Sequence, residues 1–317
     1  MTKFILWFKI IWAALSSRST QAFYDKISTF YDDIYIEHEV HAKTIITMLY
    51  EIYAGDENKT FILDLGCGTG MMTKLLSEKG FTVVGVDISL SSLCVHHDNY
   101  PTHELIQADA YFLPIADNTF HSVVCLGVWR HFPDVEKVLS EVSRILTSDG
   151  TFIVGYFPPA LAGSISLNQN WTGRLLIRFY KILTKTLGYV DRADFALEEE
   201  TVEVAKKMFS SVSKVDTAFD RNILLAQYPL ENKIYTKTQD SEVIQFYDIL
   251  RCPSCVSTNK RIGQLKLIQN NWLICQEPEC KHKYPIHKSI PLLLQEEGEK
   301  WATVSEENLQ VSFEEYQ

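Results

Sequence analysis

Basic residues are in short supply: 30 Lys and Arg stand against 40 Asp and Glu, a formal net charge of −10 over 317 residues. That balance excludes indiscriminate nucleic-acid binding, which depends on neutralising phosphates, and leaves room only for a local basic patch. A secretory disulfide framework is missing too. The seven cysteines are odd in number, no secretory signal precedes them, and Cys67, Cys94 and Cys125 stand singly, which together point to a reducing, cytoplasmic compartment. The N-terminus also lacks a membrane span. Its apolar run FILWFKIIWAAL (4–15) follows a lysine, as in a signal peptide, but it has 12 residues, is interrupted by Lys9, and falls short of the ~20 that a bilayer requires.

Thr2, Lys9 and Ser16 recur at heptad spacing and make one narrow polar stripe on a helix over residues 1–20. Peripheral membrane contact through 4–15, giving a membrane-associated protein, and packing on the protein's own core both fit that pattern. Beyond the N-terminus, 46% hydrophobic and 22% charged residues describe a globular chain. Its length suits one large domain plus a small one.

From Thr60 to Gly155 apolar runs alternate with helical patterns, the signature of a parallel α/β sheet. FILDLGCGTG (61–70) reads as a buried strand ending in a glycine-rich turn, and MMTKLLSEKG as the helix after it. FTVVGVDIS (81–89), HSVVCLGVW (121–129) and GTFIVGYF (150–157) read as further strands, with VEKVLSEVSRIL (135–146) an amphipathic helix between the last two. The turn carries Gly66, Gly68 and Gly70, with Asp64 two residues before the first glycine, and position 71 is Met where a nicotinamide fingerprint wants Gly. Asp87 ends the second strand, where a carboxylate can accept both hydroxyls of a ribose, and Asp109 follows in QADAYFLPIADNTF (107–120).

On these motifs the chain resembles class I S-adenosylmethionine-dependent methyltransferases, in particular the subfamily of quinone-biosynthesis and small-molecule enzymes. The resemblance runs over roughly residues 20 to 230. It implies a Rossmann-like, seven-stranded α/β methyltransferase sheet and S-adenosylmethionine as donor. Gly66, Cys67, Gly68, Thr69 and Gly70 would form the floor under the methionine moiety, after Asp64. Asp87, with Ile88, would bind the ribose, Asp109 and Ala110 would flank the adenine, and Leu126 and Gly127 would supply backbone near the sulfonium. Two departures are visible: His121 stands where the family often has Asp, and TSDG (147–150) replaces the usual Lys-Pro-Gly-Gly turn.

Methyl transfer needs in-line positioning and exclusion of water, with a base only if the acceptor must lose a proton. His131 in WRHFPD is one candidate, and its alternative reading is a polar residue opening the next helix beside Pro133 and Asp134. The tyrosines of FYDKISTFYDDIY (23–35), Tyr31 among them, would lie over the donor as an N-terminal cap. After the fourth strand the chain reads LGVWRHF, without the Asp/Asn-Pro-Pro-aromatic motif of enzymes that methylate exocyclic amines or side-chain amides. Residues 160–195 are longer than a direct connection requires and read as a helical lid insertion.

Near the end, Cys252-x2-Cys255 and Cys275-x4-Cys280 place four thiols at spacings suited to a structural, tetrahedral Zn²⁺. The stretch 248–294 resembles the small zinc-ribbon proteins that activate methyltransferases acting on tRNA, rRNA and translation factors. That likeness implies a ribbon fused in cis and docked on the catalytic domain. The apolar IPLLL (290–294) has no partner within so small a unit and needs another surface to cover it, and we expect docking to leave the donor site itself untouched.

The domain expectation is therefore a helix over 1–20, a methyltransferase domain over 21–232, a zinc ribbon over 248–295 and an acidic tail over 296–317. The functional expectation is O- or C-methylation of a small-molecule or lipid-like acceptor. An RNA or translation-factor methyltransferase and a non-catalytic donor-binding protein are its competitors.

Overall fold

A computed structural model describes residues 3–34, 38–155, 195–216, 222–230, 245–258 and 263–309. The lid expected over 160–195 therefore lies outside the described residues apart from its last position. Four helices lead the chain: α1 (Lys3–Ser16), α2 (Thr20–Ile27), the single turn α3 (Tyr31–Ile34) and α4 (His38–Ile52). Ser19 starts α2 by accepting the N–H of Ala22 on its hydroxyl, which satisfies one of the free amides of the first turn.

Alternation follows as the apolar runs require: β1 (Phe61–Leu65), α5 (Met71–Ser77), β2 (Thr82–Asp87), α6 (Leu90–Asn99), β3 (Glu104–Gln107), β4 (Phe120–Leu126), α7 (Val135–Ile145) and β5 (Leu146–Gly155). After the undescribed stretch come α8 (Phe195–Met208), β6 (Phe209–Asp216) and β7 (Asn222–Pro229). The seven strands order as β3-β2-β1-β4-β5-β7-β6. The first five run parallel, and β7 is antiparallel to both β5 and β6. Strand β5 begins at Leu146, and its register against β4 shifts between Leu146 and Thr151, so TSDG bulges out of the ladder.

Every residue of β1 is buried because helices cover both sheet faces. Alternate residues sort to opposite sides. Leu63, Val84, Val123 and Phe152 meet Val138, Leu139 and Val142 of α7, while Ile62, Val83, Val124 and Ile153 meet Ala42, Ile45 and Leu49 of α4. Asp134 caps α7 by accepting the Lys137 N–H, as the Pro133-Asp134 punctuation implied.

A small C-terminal unit contains α9 (Pro253–Ser257), β8 (Leu265–Ile268), β9 (Trp272–Cys275), β10 (Lys283–His287), β11 (Ile290–Pro291) and α10 (Gln295–Trp301). Its sheet orders as β11-β10-β9-β8. It joins the large domain by main-chain bonds at two places. Leu292 bridges in parallel to Gln107 at the end of β3, and the Leu293 N–H donates to the Gln107 carbonyl at 2.8 Å. In the loop after β3, Ala116 N–H donates to Ile249 O and Arg251 N–H to Pro114 O, each at 2.8 Å. The segment read as an acidic tail begins with α10 and packs back: Trp301 and Leu309 are buried against Trp272 and Ile274.

Candidate functional site

The glycine-rich turn sits at the carboxyl end of β1, where open α/β sheets present their ligand crevice. All three of its glycines have positive φ: 79° at Gly66, 51° at Gly68 and 100° at Gly70. They differ in what surrounds them. A Cβ on Gly66 would strike Val128 and one on Gly70 would strike the His96 ring, whereas Gly68 faces open space with nothing within 4 Å. The two outer glycines are therefore fixed by protein packing, whereas the middle one faces open space.

Three acids surround the turn in different states. Asp87 accepts the N–H of Gly68 on Oδ2 and that of Ser89 on Oδ1, both at 2.9 Å. Burial raises its pKa against the pull of these amides. Asp109 accepts the Tyr111 N–H at 2.9 Å and is also raised by burial, with the Tyr111 amide and the Lys137 charge opposing. Asp64 is only 1% exposed and takes the Thr73 hydroxyl at 2.6 Å. Burial pushes its carboxyl up to about 7, so it lies beneath the turn as part of the framework.

The N-terminal segment closes over these loops through a repeated Tyr-Asp pair. Asp25 accepts the Ser89 hydroxyl and Asp32 the Thr69 hydroxyl, both at 2.6 Å. The seven-residue spacing of Tyr24-Asp25 and Tyr31-Asp32 was the sequence signal for this clamp, and neither acid was singled out from it. Tyr24 hydroxyl lies 2.7 Å from His131 Nε2, and the rings of Tyr24 and Tyr31 are 6.0 Å apart. Arg130, itself buried, directs Nε–H at the same His131 nitrogen from 3.4 Å. An Arg N–H only donates, so His131 Nε2 is the acceptor in that contact.

Other sequence candidates fall into place around this frame. Leu126 ends β4, and Gly127 follows with φ 81°. Ile88 offers its carbonyl to the Gln107 side-chain amide at 3.0 Å, and Ala110 is buried beside Asp109. Cys67 turns its side chain away from the crevice into a cluster with Leu93, Leu105, Ile290 and Leu292. The C-terminal unit thus shares a buried cluster with a residue of the glycine-rich turn.

A second constellation lies in the C-terminal unit. The sulfurs of Cys252, Cys255, Cys275 and Cys280 all lie within 4.8 Å of one another. Cys252–Cys280 and Cys255–Cys275 separations are 3.6 and 3.7 Å. Thiolates on a tetrahedron with metal–sulfur bonds of ~2.3 Å stand about 3.8 Å apart, so the set has the right size. Tyr284 hydroxyl is 3.1 Å from Cys252 Sγ, and His282 Nδ1 is 2.9 Å from Cys280 Sγ. Of the basic residues in this unit, Lys288 pairs with Asp98 at 2.9 Å and Lys283 donates to the Lys281 and Ala302 carbonyls.

Residues 63–154 match the family model described as a methyltransferase domain. Among similar proteins, an uncharacterized protein, MJ1252, of Methanocaldococcus jannaschii is 34% identical over 41% of this chain and 49% of its own length. A demethylmenaquinone methyltransferase of Thermus thermophilus is 36% identical over 33% of this chain and 51% of its own. The chain thus spans about half the length of these curated relatives. The crystal structure of the PH0226 protein of Pyrococcus horikoshii overlaps 61% of this chain and 92% of its own at 20% identity and a TM-score of 0.45, too low to carry an argument.

Proposed function

We propose that this protein transfers the methyl group of S-adenosylmethionine to a small-molecule or lipid-like acceptor. The observation that carries the reading is the contrast at the turn: Gly66 and Gly70 are packed against protein, while Gly68, whose N–H donates to Asp87, faces open space. In this reading residues Gly66 to Gly70 support the methionine moiety, Asp87 accepts the ribose hydroxyls, and Asp109 with Ala110 borders the adenine. Leu126 and Gly127 present backbone toward the sulfonium. The name of the Thermus relative favours a quinone-like acceptor.

Where the acceptor is a hydroxyl, its oxygen forms the new bond to the methyl carbon as the carbon–sulfur bond breaks, leaving S-adenosylhomocysteine. The acceptor's proton passes to His131 Nε2, directly or through the Tyr24 hydroxyl, and Tyr31 helps to shut out water. The four cysteines hold a structural Zn²⁺ that fixes the C-terminal unit, and docking of that unit stabilises the large domain.

Calorimetric titration with S-adenosylhomocysteine tests the donor half. The wild type should bind, and Asp87→Ala should weaken binding by about 10- to 100-fold, the loss of charge-assisted ribose contacts. Absence of binding by the wild type would refute the reading. Transfer of labelled methyl to quinols, extracted lipids and total RNA in parallel identifies the acceptor class.

A further inference from the structure

We infer that the outer face of α1 docks the protein on an anionic phospholipid surface. Phe8, Trp12 and Leu15 are 58%, 64% and 52% exposed. At spacings of four and three residues they lie on one face of the helix. Ala13 and Ala14, on the other face, are 1% exposed and pack against Phe23 and Ile27 of α2. An ordinary surface helix turns its apolar stripe inward and its charges outward. Here Ile10, Ala13 and Ala14 face in, while Phe8, Trp12 and Leu15 face out. No helix among the described residues is long and apolar enough to cross a membrane, so the contact is one of lying on the surface.

Charge selects the partner. Between Met1 and Tyr24 the sequence carries Lys3, Lys9 and Arg18 and no Asp or Glu, whereas the whole chain bears a net −10. Lys9 and Arg18 are exposed, with the Lys9 ammonium 5.2 Å from the Phe30 ring centroid. Lys26 adds a cation 5.3 Å above the Trp12 ring while donating to the Ser16 carbonyl. A positive, aromatic-rich strip on an acidic protein fits a negatively charged lipid surface, with Trp and Phe at headgroup depth and the basic heads on phosphates. A second copy of this acidic chain is a poorer electrostatic match outside the strip itself.

The placement also suits access. Tyr24 and Tyr31 pack on the cluster that α1 forms with α2. A membrane under α1 therefore lies one helix away from the Tyr24–His131 pair. The docking inference does not depend on methyl transfer, and its test uses no enzyme activity.

The test is co-sedimentation of the full-length protein with vesicles of phosphatidylcholine alone or with about 30% phosphatidylglycerol. The wild type should bind the anionic vesicles preferentially. Trp12→Gln with Leu15→Gln should weaken binding at least about tenfold, and Lys9→Gln with Arg18→Gln should reduce it about fivefold for each charge. Circular dichroism and S-adenosylhomocysteine titration confirm that the variants are folded. Brominated lipid should quench wild-type tryptophan fluorescence, with the Trp12→Phe variant binding but quenched less. Wild-type protein that stays in the supernatant with anionic vesicles at low salt overturns the inference, as does undiminished binding by the Trp12/Leu15 variant. Self-association abolished by the Trp12/Leu15 variant, without vesicle binding, would assign the face to a second copy instead.

Discussion

The Tyr24 hydroxyl lies 2.7 Å from Nε2 of His131 although 107 residues separate them in sequence. The pair ties the N-terminal cap to the loop after β4, so closing the crevice and setting the imidazole are one event. For an acceptor that loses a proton, His131→Gln should lower kcat by about 100-fold or more and flatten the acid limb of the pH–rate profile. S-adenosylhomocysteine affinity should stay within about twofold. Tyr24→Phe should fall between wild type and His131→Gln. A His131→Gln enzyme with unchanged kcat and pH profile would remove the base role.

Gly68 and Gly70 make opposite predictions. Gly70→Ala adds a carbon within 2.5 Å of the His96 ring at φ 100°, so it should cost about 1 to 3 kcal/mol of stability. Gly68→Val meets no protein atom from its Cβ within 4 Å and carries only the strain of φ 51°. It should cost less stability yet abolish S-adenosylhomocysteine binding by filling the crevice. Thermal melts and calorimetry on both variants check the contrast, and tight donor binding by Gly68→Val would contradict it.

Asp64 makes the fold sensitive to pH. Its carboxyl rises from 3.8 to about 7 on burial. The folded state therefore holds a proton that the unfolded state has released. The associated stabilisation is complete below about pH 4 and is lost as pH rises toward 7, a change on the order of a few kcal/mol. Asp64→Asn keeps an acceptor for the Thr73 hydroxyl without the charge. It should raise the Tm above pH 7 and flatten its slope between pH 4 and 7. An unchanged slope would assign the pH dependence to other groups.

The cysteine cluster and the glycine-rich turn should be energetically linked. Purified protein should carry about one Zn²⁺ per chain, and Cys252→Ser should release it while the large domain keeps its circular dichroism. Because Ile290 and Leu292 share a buried cluster with Cys67, that loss should also weaken S-adenosylhomocysteine binding, by about threefold to tenfold. Truncation after residue 245 should do the same and lower the Tm and solubility. Elemental analysis, melts and calorimetry measure all three. A truncated protein that melts like the intact one would end the docking interpretation.

What the sequence disclosed was local. Apolar runs marked β1, β2, β4 and β5 because strands covered on both faces need continuous hydrophobicity, and the turn glycines and Asp87 followed from strand ends. Spatial joins were not legible. Nothing in ELIQ or IPLLL says that Gln107 meets Leu292, since main-chain pairing leaves no side-chain signature. The acids of 296–317 concealed Trp301 and Leu309, whose burial against Trp272 depends on a surface supplied elsewhere. Asp25 and Asp32 were not legible as site residues, because their partners, the Ser89 and Thr69 hydroxyls, come from distant loops.

Leu292 and Leu293, which meet Gln107 at the free end of β3, also impose an order on biosynthesis. Ribosomes add roughly 5 to 20 residues per second, so Gln107 emerges roughly 10 to 40 s before the residues that pair with it. Through that interval the nascent chain presents an incomplete border, a template for the wrong neighbour. Folding yield in a heterologous host should therefore depend on chaperone supply and translation rate more than on the final stability of the molecule.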